Sequence, residues 1–155
     1  MPRGSRQNRA GRNRARRLLM QALYQMFLNE QPLRDIQAQF DSDKMLEGVD
    51  VEFFSALIKE ADQNRERFDE IITRLADRPI AQIDPVERAV LYGAMAEFSA
   101  RIDVPYRVVI SEAVSLTKKF GATDGHLYVN AILDRAALEL RPQETAVRQG
   151  DASRD

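Results

Sequence analysis

The chain of 155 residues is the size of one domain and long enough to bury a core without covalent staples; at 44% hydrophobic and 30% charged it has the apolar surface to fold. With no Cys and one His, disulfide frameworks, thiolate nucleophiles and Cys- or His-rich metal sites are excluded. The net charge of −1 hides an uneven distribution: the first 29 residues hold Arg3, Arg6, Arg9, Arg12, Arg14, Arg16 and Arg17 and no acid, leaving sixteen basic against twenty-four acidic groups in the other 126. A cationic arm on an acidic body points to nucleic acid as the partner. No apolar run approaches the roughly 18 residues that cross a bilayer, and the arginines lack the apolar segment of a signal peptide, so a soluble, cytoplasmic protein without a membrane role is expected.

Helical periodicity runs through nearly the whole chain, with no clean period-two alternation, and predicts an all-α fold. From Arg12 to about Asn29, Leu19, Ala22, Leu23, Met26 and Phe27 share one arc of the helical wheel, while Arg14, Arg17, Gln21, Tyr24 and Gln25 share the opposite one. Residues 1–11 read as a flexible arginine-rich arm. Pro32 is placed to open a short helix over Leu33 to Phe40, and residues 41–50, with Gly48 inside, read as a loop. Phe54, Ile58, Ala61, Arg65, Phe68, Ile72 and Leu75 alternate at spacings of four and three, the seam of one long helix.

Asp84-Pro85-Val86-Glu87 has the Asp, Pro and Glu of a capping box and opens a helix to about Ala100. After Asp103-Val104-Pro105 a further helix carries Val109, Ala113, Leu116 and Phe120 inward and ends at Gly121, read as a left-handed cap. Asp124 is expected to cap the final helix, with Tyr128, Val129, Ile132, Leu133, Ala136 and Leu140 on its inner face and Pro142 as its stop. The domain is thus expected over 12–141, followed by a disordered tail over 142–155.

No residue pattern supplies an active site. Gly121 and Gly125 precede a helix but follow no strand and lead to no Lys, so they do not make a phosphate loop, and His126 near Asp124 and Glu112 has neither a nucleophile nor a second ligand beside it. Neither a cofactor nor a metal is expected. Arg12 and Arg14, read as lying in the first turn of their helix, would oppose its macrodipole unless a polyanion docked there. Arginines beside an exposed Tyr24 suit single-stranded RNA, whose splayed bases stack on rings and guanidinium planes.

The stretch Asp103-Val104-Pro105-Tyr106-Arg107-Val108-Val109-Ile110-Ser111-Glu112-Ala113, continuing to Lys118-Lys119-Phe120-Gly121 and then His126-Leu127-Tyr128-Val129-Asn130-Ala131-Ile132-Leu133-Asp134, resembles the signature of the bacterial NusB family of transcription antitermination factors. Arg16 with Gln21-Ala22-Leu23-Tyr24 resembles the family's first helix, and Glu87-Arg88-Ala89-Val90-Leu91 the helix before the signature. The likeness is close over 84–140, fair over 12–27 and weak between 30 and 80.

This resemblance implies about seven helices in two small bundles, no catalysis, and binding of boxA-type single-stranded RNA together with the ribosomal protein NusE, within an antitermination complex on RNA polymerase. It maps the RNA surface onto Arg12, Arg14, Arg16, Arg17, Gln21, Asp124 and Tyr128, and the protein-partner surface onto Tyr24 and Glu87. The capping box explains Glu87 equally well. Leu127 and Tyr92 stand where relatives often place Lys and Arg; Tyr92 is a candidate for stacking a base in its place. Two other readings stay open: a helical RNA-binding accessory like the N-terminal domain of RNA cytosine methyltransferases, which would call for a cofactor-binding domain as well, and a protein-interaction scaffold whose arm binds an acidic partner. Homodimerisation is left open too.

Overall fold

The structure, a computed structural model, describes residues 2–146, and the side chains of residues 8–146. Its described residues form no strand but seven α-helices, α1 (Pro2–Asn29), α2 (Leu33–Ser42), α3 (Val51–Gln63), α4 (Arg65–Leu75), α5 (Pro85–Ala100), α6 (Tyr106–Phe120) and α7 (Gly125–Leu140), with one 3₁₀ turn at Ile80–Gln82 and a further helical turn over 142–146. α1, α2 and α3 make the first bundle, and α4, α6 and α7 the second. α5 packs against α1 and α3 on one side and α4, α6 and α7 on the other, so both bundles share it.

α1 starts ten residues before the point predicted from the wheel, because nothing from Pro2 onward breaks it and the Pro sits where a helix tolerates one. Its inner arc is as expected: Leu19, Ala22, Leu23 and Met26 are buried and Phe27 is partly so. Gly11 lets α1 meet the start of α3, since a Cβ there would lie 3.1 Å from the Asp50 nitrogen, which donates to the Gly11 carbonyl at 3.1 Å.

The long helix expected from Phe54 to Leu75 is two helices, broken at Asn64. The Asn64 amide donates to the Glu60 carbonyl at 2.9 Å and to its carboxylate at 3.0 Å, closing α3 with a local bond that competes with the ladder. Phe54, Ile58, Ala61, Phe68 and Ile72 are nevertheless buried, because a one-residue break leaves the apolar stripe in phase.

The end of α6 also differs from expectation. Gly121 is extended rather than left-handed; it is needed for space, since a Cβ there would lie 2.8 Å from the Thr117 carbonyl oxygen. The left-handed residue is Asp124, at φ 64°, and its side chain makes no capping bond to α7. Asp is among the residues that tolerate that region. Phe120, expected inside, is 38% exposed, because it falls on the last turn beyond the reach of the core. α7 stops before Pro142 as predicted, but residues 142–146 form another helical turn in place of the tail expected from 142; Arg141 anchors it through Glu144, at 2.6 Å, and Thr145 is buried. The rest of that tail, 147–155, lies outside the described residues.

Asp84 caps α5 as expected, accepting from the Val86 and Glu87 nitrogens at 2.9 and 3.2 Å. Replacing Asp84 by Ala should therefore lower the unfolding free energy by about 1 kcal/mol in urea titrations. Asp124→Gly should not lower it, because no cap bond is lost and the left-handed backbone is relieved.

Candidate nucleic-acid interface

The arginines of α1 divide by helical geometry into an inward and an outward set. Arg16 donates through Nε and Nη2 to the two carboxylate oxygens of Glu97 on α5, at 2.8 and 2.6 Å, and through Nη1 to Asn13. Both side chains are buried, at 10% and 3% exposure. Arg12 lies 3.3 Å from Asp103 and 3.8 Å from Asp50. Arg12, Arg16 and Arg101 all pack on the ring of Phe53, at 4.8, 5.2 and 5.3 Å from its centroid. Arg16, expected at the RNA surface, is thus paired to an acid of its own chain, and Arg12 is largely committed to such acids as well.

The macrodipole argument for Arg12 and Arg14 also falls, since both lie more than two turns inside α1, beyond the reach of its terminal partial charge. Arg14 and Arg17 face outward and are exposed, and neither has a carboxylate partner among the described residues. The Arg14 guanidinium lies against Gly48, whose φ of 76° and missing side chain make room for it.

Two grooves flank this outward face. One, of about 180 Å³ between α1 and the end of α6, is lined by Arg14, Arg17 and Lys119, by the acid-paired Arg16 at its inner side, and by Glu112 as its one carboxylate. The other, of about 580 Å³, lies beside α2 and holds Gln21, Tyr24, Leu28, Met45 and Phe40. Arg17 and Phe120 line both. Gln21 and Tyr24 are exposed as predicted. Neither Lys119 nor Phe120 is expected at an RNA surface from the sequence, which reads Phe120 as inward-facing; the available signal is the cationic pair Lys118-Lys119 beside an aromatic on a final helical turn.

At the start of α7, Asp124 is exposed and Tyr128 half-buried with Arg78 over its ring at 4.4 Å. The Tyr128 hydroxyl is buried with no hydrogen-bond partner among the described residues, and its pKa is raised by that burial, with Arg78 opposing. Glu87 is not a surface group: it is 5% exposed, and a Cβ on Gly125 would lie 2.8 Å from its carboxyl carbon. Burial, and then repulsion from Asp84, push the Glu87 carboxyl above its ordinary range, with Arg78 opposing. A buried carboxyl is badly placed for an arginine of a partner; Glu87, expected at a partner surface, is not exposed in this chain. Tyr92 is fully buried, edge-on to Phe27 and Phe68 at 4.9 and 6.1 Å between ring centres, so it cannot stack a base. Leu127 is exposed and adds no charge.

The family model that matches the chain is the NusB family, over residues 13–138. The chain belongs to the NusB family. It is 41% identical to the transcription antitermination protein NusB of Marinobacter nauticus over 143 residues, 92% of this chain and 90% of that one. To the NusB protein of Saccharophagus degradans it is 44% identical, covering 91% of this chain and 95% of the relative. The solved structure of T. maritima NusB superposes with a TM-score of 0.71 at 28% identity, covering 82% of this chain and 90% of that one. The family match over 13–138 includes the span from 30 to 80 in which the sequence likeness was weak. NusB proteins act in transcription antitermination, by binding and not by catalysis.

Two measurements test the buried charges. Glu97→Ala leaves the Arg16 guanidinium buried and unpaired, and should cost about 3–5 kcal/mol in urea unfolding. Glu87 should act in the opposite sense: its raised pKa makes the folded state prefer the neutral acid, so the stability it contributes is present in acid and is lost as pH rises above the ordinary carboxylate range. Glu87→Gln should melt higher than the parent at pH 7, with the difference vanishing below about pH 4.

Proposed function

We propose that this chain acts in transcription antitermination by holding boxA-type single-stranded RNA on the outward face of α1, together with the ribosomal protein NusE and within a complex on RNA polymerase. What carries this reading is the division of the arginines. Asp50, Glu97 and Asp103 occupy Arg12 and Arg16, whereas Arg14, Arg17 and Lys119 line a groove with a single carboxylate. Unpaired cations on an acidic body repel one another unless a polyanion is bound, and planar guanidinium forks suit phosphate oxygens. Asp124 and Tyr128 at the start of α7 stand as further candidate contacts to RNA. We place the NusE surface on the groove around Tyr24, where Leu28, Met45 and Tyr24 expose apolar area beside polar Gln21 and Gln25.

RNA binding by the parent should weaken with salt, log K falling against log salt at a slope of about −2 to −3.5 for three to five phosphates on a single strand. Arg14→Ala and Arg17→Ala should each reduce that slope by about 0.7 while melting like the parent, since both side chains are exposed. Arg16→Ala should instead melt lower. A slope near zero for the parent would refute RNA binding by this face.

A further inference from the structure

Phe120 and Arg17 are unexplained by folding. An aromatic ring on the last turn of α6 leaves apolar surface in water, and the Lys118-Lys119 pair already complements that end of the helix dipole. Arg17 lays its guanidinium over the ring at 4.8 Å from the centroid and has no acid partner among the described residues. The pair forms the wall between the cationic groove and the apolar groove. A cation and a ring stacked together at the surface, with unpaired Arg14 and Lys119 on one side, match a ligand that has both a flat π-face and a negative charge every few ångströms. An acidic peptide would use the cations and leave the ring idle. A duplex would offer phosphates but keep its base faces covered.

We propose that Arg17 and Phe120 form a stacking step for one unpaired nucleobase of a single-stranded RNA, whose flanking phosphates lie on Arg14 and Lys119. The inference rests on the RNA-binding reading above and deepens it by naming where a base is held. Because both residues also line the groove assigned to the protein partner, the base sits where RNA and partner meet.

The chain contains no Trp, so Phe120→Trp installs a single tryptophan at the step, excited selectively over the four Tyr. Titration with a twelve-nucleotide boxA-type RNA should quench its emission in parallel with binding, whereas inorganic polyphosphate, which carries charge without bases, should bind without quenching. Phe120→Ala should lose about 5- to 100-fold in RNA affinity with the salt slope unchanged, as expected for loss of one stacked base and no charge. Lys119→Ala should lower the slope by about 0.7. Equal quenching by polyphosphate or polyglutamate would overturn the stacking step, as would parent-like RNA affinity in Phe120→Ala under conditions where Arg14→Ala weakens binding; in the latter case RNA binding itself stands. Absence of salt-dependent RNA binding by the parent would overturn both.

Discussion

The two parallel hydrogen bonds between Arg16 and Glu97 join α1 to α5 at a point where α3 contributes the Phe53 ring beneath them. Taking both charges out of water is costly, and the geometry offsets that cost through a bidentate fork, a third bond to Asn13 and an aromatic face. Once this contact is made, the rotation of α1 about its axis is set. Residues 12 and 16 lie about 40° apart on the inner side, where acids of the body hold them, while 14 and 17 are carried to the far side, about 60° from each other. The recognition face is therefore a consequence of how the helix docks: turning α1 by half a revolution would exchange the bound and the available arginines.

Much of this was legible in the chain. The arc of Leu19, Ala22, Leu23 and Met26, the Asp84-Pro85 helix start and the stop before Pro142 rest on local rules, and the structure follows them. The departures come from contacts distant in sequence or from choices that leave periodicity unchanged. Arg16 reads as a surface cation because its partner is 81 residues away. Asn64 is hidden because the apolar stripe continues across it in phase. Gly121 and Asp124 exchange the expected roles because the turn needs space at one and a positive φ at the other, and spacing alone does not separate these needs. Tyr92 is misread because α5 is apolar on nearly all sides, so no wheel marks its exposed face.

The start of α7 shows the opposite balance to α1. There the charged group, Glu87, lies inside and the exposed residues, Asp124 and Leu127, bring no cation. Gly125 allows the α7 backbone to rest directly on the Glu87 carboxyl, so the position of this helix end depends on a group held neutral more readily than usual. The two ends of the proposed RNA surface are therefore built differently, one from cations left over by docking and the other from a junction sealed by a buried acid.

Ten of the sixteen residues of α5 are buried, and they are divided between neighbours belonging to both bundles. Neither bundle can close its core without that helix, and the helix cannot shed either set of neighbours without exposing an apolar face to water. The two halves, separable by eye, thus share one wall: loss of either exposes the apolar face of the other, so unfolding is expected in a single transition, without a half-folded state that keeps one bundle intact.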